Sequence, residues 1–330
     1  MRKTHFPATC SVLGTIVIVV LMAASCQRST PPTRITYAMP ITVTAVLPYV
    51  ALEKGFWRDE GLDVKVQMFS AGRLALDALL SGNAEVMSVS ETPIVHAILQ
   101  GNRISIIATV AAHQEVRFIA RRDRHIATPG DLRGKLIATL PGTNSDYFMY
   151  ELLSKYGIPP NDVKITNMDP PAMVTALVNG SIDGYFAWEP HVYYAQRQLR
   201  DNAVVFDAGD LYHGWHTVNM NQDFVAAHPE VVRKLIRGFI KAEDLVQNSA
   251  DESMAIVSRK TGVDMDGIKQ LWSAIKPQVR LDAALIDVMN NEGRWAQSIR
   301  NSIAPLPNWR DSIYDAALRA ERPASVSLGK

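Results

Sequence analysis

The chain has 330 residues, with 34 Lys and Arg against 33 Asp and Glu, a formal net charge of +1 and 47% hydrophobic residues. This composition is that of an ordinary globular protein of one or two domains and excludes a disordered, fibrous or multi-span membrane protein. Because the charge is nearly balanced and no run of Lys or Arg occurs, no nucleic-acid partner is expected.

The first 25 residues have the order of a secretory signal. Arg2 and Lys3 precede the apolar stretch Val12–Ala24, and small residues lead to Cys26. This order resembles the bacterial lipoprotein signal, which implies a signal peptide over 1–25, a lipid on Cys26 and a tether over 26–33. An uncleaved anchor is the alternative, but 13 residues span only about 20 Å of the ~30 Å hydrocarbon core. We therefore expect a protein of the periplasm or cell surface, anchored to the membrane by lipid at Cys26.

Cysteine usage is consistent with this processing. Cys10 and Cys26 are the two cysteines of the sequence. Cleavage before Cys26 would leave the folded body without a disulfide, and without a thiol nucleophile.

From residue 34 onward the hydrophobic pattern alternates between the two periods of strands and helices. Strands are predicted over Arg34–Met39, Leu62–Phe69, Ala84–Val89, Ile104–Ala111, Lys135–Leu140, Val163–Asn167 and Ile182–Ala187. Between them lie helices predicted over Tyr49–Phe56, Leu74–Leu80 and Thr92–Gly101, the last with Thr92 as the cap residue and Pro93 first in the helix. After His228 the pattern is almost entirely helical, over Val231–Val246, Glu252–Lys260, Ile268–Ile275 and Ala283–Ile299. This alternation favours an α/β fold with parallel strands.

An internal repeat divides the α/β region. The segment Ala78–Glu85 reappears as Ala176–Asp183, 98 residues later, and Glu91 falls on Glu189 at the same offset. Each copy reads as helix, glycine stop, acidic residue, strand and then a loop that bears Glu. Two similar units predict two lobes with a cleft between them.

Parallel α/β lobes bind ligands at the carboxyl ends of their strands, so the loops there supply the candidate ligand residues. The loop Pro141–Ser145, which leads into a helix near Asp146, favours an anionic group, with simple helix capping by Asn144 or Ser145 as the alternative. The candidates are Thr42, Thr44, Gly72, Ser90, Glu91, Thr92, Gly142, Thr143, Asn144, Ser145, Trp188 and Glu189, together with the aromatic residues Tyr49 and Trp215. Tyr147 and Tyr185 are expected in the core. We expect Trp188 and Glu189 to face Ser90 and Glu91 across the cleft.

Several short motifs resemble one family of transport proteins. They are Leu47–Trp57, Gly61–Val64, Asp131–Lys135, Gly180–Gly184 and Trp188–Pro190. In combination, from about residue 35 to about residue 247, they resemble the substrate-binding proteins of ABC transporters for sulfonates, taurine, nitrate and thiamine precursors.

The resemblance implies a two-lobed type II periplasmic-binding-protein fold, each lobe a mainly parallel sheet flanked by helices, with extra C-terminal helices. The first lobe would comprise 34–117 and 216–330, and the second 118–215, with crossings near Val116–Ala120 and His213–Val218. It implies a monomer that captures a small solute by hinge closure and delivers it to a permease and an ATPase, without a cofactor.

The sequence leaves the solute open. If Glu91 and Glu189 face the ligand, they disfavour a plain anion such as nitrate and favour an aminosulfonate or an aminated heterocycle. A sensor lipoprotein, or an enzyme of thiamine or menaquinone synthesis on the same fold, are the alternatives. His213 and His216 suggest a metal pair, but no third ligand follows at suitable spacing, so no metal site is expected.

Overall fold

The computed structural model of this chain describes residues 1–3 and 31–329, and residues 1–3 are exposed chain without helix or strand. The remainder of the predicted signal peptide, the predicted lipidation site Cys26 and tether residues 26–30 lie outside the described residues. No described helix is both long enough and apolar enough to cross a membrane.

The first half of the body contains eight strands and helices before the chain leaves the first sheet. These are β1 (Thr33–Pro40), α1 (Val46–Glu53), α2 (Phe56–Asp59), β2 (Leu62–Phe69), α3 (Gly72–Leu80), β3 (Val86–Ser90), α4 (Glu91–Leu99) and β4 (Ile104–His113). The second sheet and its helices follow as β5 (Arg117–Arg121), β6 (Leu136–Thr139), α5 (Asn144–Lys155), β7 (Lys164–Asn167), α6 (Pro170–Val178), β8 (Gly184–Ala187), α7 (His191–Leu199) and β9 (Ala203–Asp207).

The chain then returns to the first sheet and ends in a mainly helical region. Its elements are β10 (Gly214–Asn221), α8 (Gln222–Ala227), α9 (Pro229–Asn248), α10 (Ala250–Thr261), α11 (Met265–Trp272), β11 (Ile275–Asp282), α12 (Ala283–Ile299), α13 (Ala316–Glu321) and β12 (Val326–Ser327). Strand β11 corrects the helical prediction for this region, since Val279 and Leu281 are buried at strand spacing while Lys276 is exposed.

The body has two sheets, each the centre of one lobe. The first lobe holds a seven-stranded sheet in the order β12-β11-β4-β10-β3-β1-β2, and the second lobe a five-stranded sheet in the order β7-β6-β8-β5-β9. The predicted α/β fold class is confirmed, but the sheets are mixed rather than mainly parallel. Strands β5 and β10 each enter directly from the other lobe and pair antiparallel. A parallel neighbour would need a long crossover connection, which these short entries do not provide.

Two short segments connect the lobes. Residues 114–116 lead from β4 to β5, and residues 208–213 lead from β9 to β10. Both begin a few residues before the predicted crossings and overlap them only at Val116 and His213.

Each lobe has its own aromatic core. In the first lobe the ring of Trp57 packs on Tyr37 at 5.4 Å and on Phe239 at 5.2 Å between centroids. In the second lobe Phe118 packs on Phe186 at 4.6 Å. The two cores are distinct, but Trp295 of α12 belongs to the second core and packs on Tyr147 at 5.2 Å between ring centroids. The lobes are therefore joined by α12 as well as by the two segments and the faces that line the cleft.

The internal repeat has equivalent structure in both lobes. Gly82 and Gly180 both end a helix with positive φ, at 74° and 78°. The acid that follows accepts a backbone N–H from the neighbouring strand in each copy: Glu85 from Thr36 at 2.7 Å, and Asp183 from Leu136 at 2.8 Å. The junctions β3–α4 and β8–α7 are therefore the two equivalent loops at the cleft.

Candidate functional site

A small cavity lies between the lobes, where strands and helix starts from both sheets meet. Its volume is about 20 Å³, room for little more than one water molecule in this conformation. The first lobe lines it with Pro40, Thr42, Thr44, Gly72, Val89, Ser90, Pro93 and His216, the second lobe with Thr143, Asn144 and Trp188, and the first connection with Glu115.

Three helix N-termini converge on this cavity. Gly72 is the first residue of α3, Ser90 precedes α4, and Thr143 and Asn144 begin α5. None of the three residues that precede these helices caps the helix with its own side chain. Backbone N–H groups and the positive ends of three helix dipoles therefore face one small volume, which favours an anionic group.

Two side-chain nitrogens in the wall have no protein partner. Trp188 Nε1 and His216 Nε2 are buried and make no hydrogen bond among the described residues. His216 is held by Nδ1, 3.0 Å from the Thr44 hydroxyl. Burial lowers its pKa to about 3, so the ring is neutral at physiological pH. Unpaired buried polar atoms are costly, and polar atoms of a ligand would satisfy both nitrogens.

Glu115 is the acidic residue of the wall and is 1% exposed. Its Oε2 accepts the backbone N–H of Glu189 at 2.6 Å, and its Oε1 lies 3.5 Å from His113 Nδ1. Burial raises its pKa to about 8, and the charge of Glu189 adds to this effect. The nearest cation, Arg117, is already paired with Glu189 at 3.1 Å and with Asp207 at 2.7 Å.

The lobes are hydrogen-bonded to each other in this conformation. Asn144 Nδ2 of the second lobe donates to Ser90 Oγ of the first at 3.0 Å, within the cavity wall. On the rim, Tyr193 of α7 donates to Asp264 at 2.7 Å, and Tyr194 donates to the Thr261 carbonyl. The cleft is therefore narrow.

The structure brings half of the predicted ligand residues to the cavity. Those in its wall are Thr42, Thr44, Gly72, Ser90, Thr143, Asn144 and Trp188. Ser90 and Trp188 lie at the same position of the repeat, so equivalent loops do converge on one volume. The two glutamates that follow them do not, for reasons given next.

Glu91 is fully buried behind the wall rather than facing the cleft. Its carboxylate accepts from the Tyr212 hydroxyl at 2.7 Å and from the Trp215 backbone N–H at 2.8 Å. Burial raises its pKa, and a second buried carboxyl, that of Glu292 on α12, lies beside it with a pKa raised by burial and by Glu91. Glu91 therefore lies outside the cavity wall, because the returning chain satisfies its oxygens.

Glu189 is also turned away from the cavity. One carboxylate oxygen pairs with Arg117, and the other accepts the Tyr193 backbone N–H at 2.8 Å, in the first turn of α7. Burial raises its pKa to about 7, although Arg117 opposes this rise. Glu189 therefore caps the first turn of α7 and holds Arg117.

Five other predicted residues also lie outside the wall. Tyr49 and Ser145 support it, since the Tyr49 hydroxyl accepts the Thr42 N–H at 3.4 Å and Ser145 shares a hydrogen bond with Thr143 at 2.8 Å. Thr92 is within α4 and donates to Glu292 at 2.6 Å, so it is not the cap. The other two, Gly142 and Trp215, line separate surface grooves. Tyr147 and Tyr185 pack in the second core, as expected.

Sequence reasoning missed Glu115 and His216, the two titratable residues of the wall. Glu115 is in the first connection between lobes, and His216 comes shortly after the second. The signal was available, because residues beside the crossings of a two-lobed protein border its cleft. His216 lines the cavity, whereas His213 lines a separate groove, 3.2 Å from Gln114. Among the described residues, no group of three or more His, Cys, Asp or Glu side chains is placed to hold a metal ion.

The two mixed α/β lobes, connected by two short segments around a polar cavity, define the fold of the periplasmic solute-binding proteins. A family profile described as "NMT1/THI5 like" matches residues 44–253, and the chain belongs to this family.

The sequence and structure comparisons agree with this class. The chain is similar to the taurine-binding periplasmic protein of Escherichia coli (strain K12), with 27% identity over 238 residues, 68% of this chain and 72% of that protein. It is 25% identical to a putative aliphatic sulfonates-binding protein of Bacillus subtilis (strain 168) over 236 residues, 69% and 70% of the two chains. The fold matches the alkanesulfonate-binding protein SsuA from Xanthomonas axonopodis pv. citri bound to MOPS, with a TM-score of 0.75 and 16% identity, over 87% of this chain and 100% of that one. The chain is thus a solute-binding protein.

Proposed function

We propose that this protein captures a small sulfonate, such as taurine, for an ABC importer. The observation that carries the proposal is the convergence of three helix N-termini on one cavity, beside the unpaired nitrogens of Trp188 and His216. A sulfonate group presents three acceptor oxygens and one negative charge, which these donors match. The similarity to taurine- and sulfonate-binding relatives supports the same ligand class.

Capture proceeds by hinge closure about residues 114–116 and 208–213. The contact between Asn144 and Ser90 joins the lobes only when the cleft is narrow. A ligand that bonds to both walls therefore stabilises the closed state, which would be the form that the permease and the ATPase recognise. Scattering curves that are identical with and without saturating taurine would contradict this mechanism.

A thermal-shift screen of the purified protein tests the ligand class. Taurine, alkanesulfonates, nitrate and a pyrimidine precursor of thiamine are compared. A ligand at 100 times its dissociation constant stabilises the folded state by about 2.7 kcal/mol. We expect the sulfonates to raise the melting temperature and to be recovered unchanged. Stabilisation by the pyrimidine alone, or turnover of any ligand, would contradict the proposal.

Attachment to the membrane by lipid at Cys26 is the second part of the proposal. The apolar stretch before Cys26 is about 20 Å long as a helix, too short to span the bilayer. Cys26→Ala should abolish labelling with a radioactive fatty acid. Unchanged membrane attachment of this variant would instead favour an uncleaved anchor. A permease gene and an ATPase gene next to this one would favour import over sensing.

A further inference from the structure

Glu115 is a carboxyl group without a counter-charge in the cavity wall. Among the described residues that line the cavity none is cationic, and Glu115 is the one acid. His113, 3.5 Å away, is neutral, because burial lowers its pKa to about 3. His216, across the cavity on β10, is neutral for the same reason.

The neighbouring charges do not compensate for Glu115 either. Arg117 on β5 is shared between Glu189, at the start of α7, and Asp207, at the end of β9. If all four groups were ionised, the three acids (Glu115 and these two) and the single guanidinium would carry a net charge of −2. The region is therefore short of positive charge, and burial raises the pKa of Glu115 to about 8 and that of Glu189 to about 7.

We propose that Glu115 binds the ammonium group of a zwitterionic ligand and loses its proton to solvent when that ligand binds. This inference rests on the proposed function and names the ligand class more narrowly: an aminosulfonate rather than a plain alkanesulfonate. The sulfonate binds at the N-termini of α3, α4 and α5. The ammonium group replaces the proton as the counter-charge of Glu115. Because the cavity is small, the two charged ends are a short aliphatic chain apart.

Because the ammonium group replaces a proton on Glu115, the affinity for an aminosulfonate depends on pH. Below about pH 8 the empty site is protonated on Glu115, and an ammonium ligand must displace that proton. The affinity for taurine should therefore rise from pH 6 to pH 8 by roughly 10- to 50-fold and then level off. Isethionate, which has a hydroxyl in place of the ammonium, binds the protonated site, so its affinity should be constant to pH 7 and fall above pH 8.

Titration calorimetry of the purified protein with taurine, isethionate and ethanesulfonate, at pH 6, 7 and 8, tests the proposal. At pH 7, two buffers of different ionisation heat should show the release of close to one proton per taurine and none per isethionate. Glu115→Gln keeps an acceptor for the Glu189 N–H. It should remove the pH dependence and reduce the preference for taurine over isethionate from tenfold or more to about onefold. Glu243→Gln, which changes a buried carboxylate outside the cavity, should leave that preference unchanged.

The outcomes separate the two proposals. If no sulfonate binds the wild-type protein at any pH, the proposed function is wrong and this inference falls with it. If taurine and the two analogues that lack the ammonium group bind with the same affinity and the same pH dependence, the role of Glu115 is wrong while sulfonate capture stands. The wild-type pH profile and proton release decide this even if Glu115→Gln fails to fold.

Discussion

Closure of the lobes can be tested at Gly267, which lies on the rim far along the chain from the cavity loops. A Cβ atom added to Gly267 on α11 would lie 2.6 Å from Cε2 of Tyr193 on α7 of the other lobe, and 2.7 Å from Cγ1 of Val263 in its own lobe. Both distances are too short for carbon atoms. Gly267→Ala should therefore disfavour the observed approach of the lobes.

The expected magnitude follows from the size of the clash. Overpacking by one methyl group costs about 1–3 kcal/mol. The part of this cost that comes from the contact with Tyr193 destabilises only the closed state. A cost of about 2 kcal/mol lowers the closed population, and with it the affinity for taurine, by roughly 30-fold. Overall stability should change less, because alanine improves the propensity of α11 by up to about 1 kcal/mol over glycine.

The assay combines small-angle scattering of the ligand-free protein with calorimetry and thermal melting. Gly267→Ala should increase the radius of gyration and weaken taurine binding, while the melting transition stays cooperative. Adding Tyr193→Ala removes the clashing ring, so the double variant should bind as well as Tyr193→Ala alone. If Gly267→Ala is as compact as the wild type and binds taurine equally well, closure at this rim is not required for binding.

Three further predictions concern the wall and the carboxyl groups behind it. Trp188→Ala removes an unpaired donor and a ring from the cavity and should weaken taurine binding ten- to hundredfold by calorimetry. Glu189→Gln should change the affinity less than threefold and lower the free energy of unfolding by roughly 1–3 kcal/mol. Equal losses of affinity in the two variants would refute this placement of the two residues. The pKa values of Glu91 and Glu292 are raised above their values in the unfolded chain, so their contribution to stability is lost as pH rises above about 4.5. Glu292→Gln should therefore melt about 2–4 °C higher than the wild type at pH 8 but not at pH 4.5, and a lower melting temperature at pH 8 would contradict the shared burial of the pair. Ser90→Ala breaks the hydrogen bond to Asn144 and should raise the dissociation rate of taurine several-fold in stopped-flow measurements, with an unchanged rate as the contrary result.

The sequence predicts the first part of the fold well because its signals are local. Strand Leu62–Phe69 has the predicted bounds, since its alternation of apolar and polar residues is itself the strand period. The repeat likewise identifies equivalent loops, and both Ser90 and Trp188 reach the cavity. Strand β11 is missed because its apolar residues are few, and its pairing with β4 depends on residues far away in the chain.

The site is predicted less completely than the fold. Position in the repeat says which loops meet, but it does not say which way a side chain turns. Glu91 turns away because Tyr212, more than a hundred residues later, donates to it, and Glu189 turns away because Arg117 pairs with it. Glu115, in contrast, belongs to no motif. It lines the cavity only because the chain passes from one lobe to the other at this residue.

A crystal structure of the protein with taurine at saturating concentration tests the central claim most directly. We predict one taurine molecule between the lobes, with its sulfonate at the first turn of α5 beside Trp188 and its nitrogen within hydrogen-bond distance of Glu115. Taurine bound instead in the surface groove lined by Arg73, His96 and Arg300, or an empty cavity between the lobes, would contradict the account.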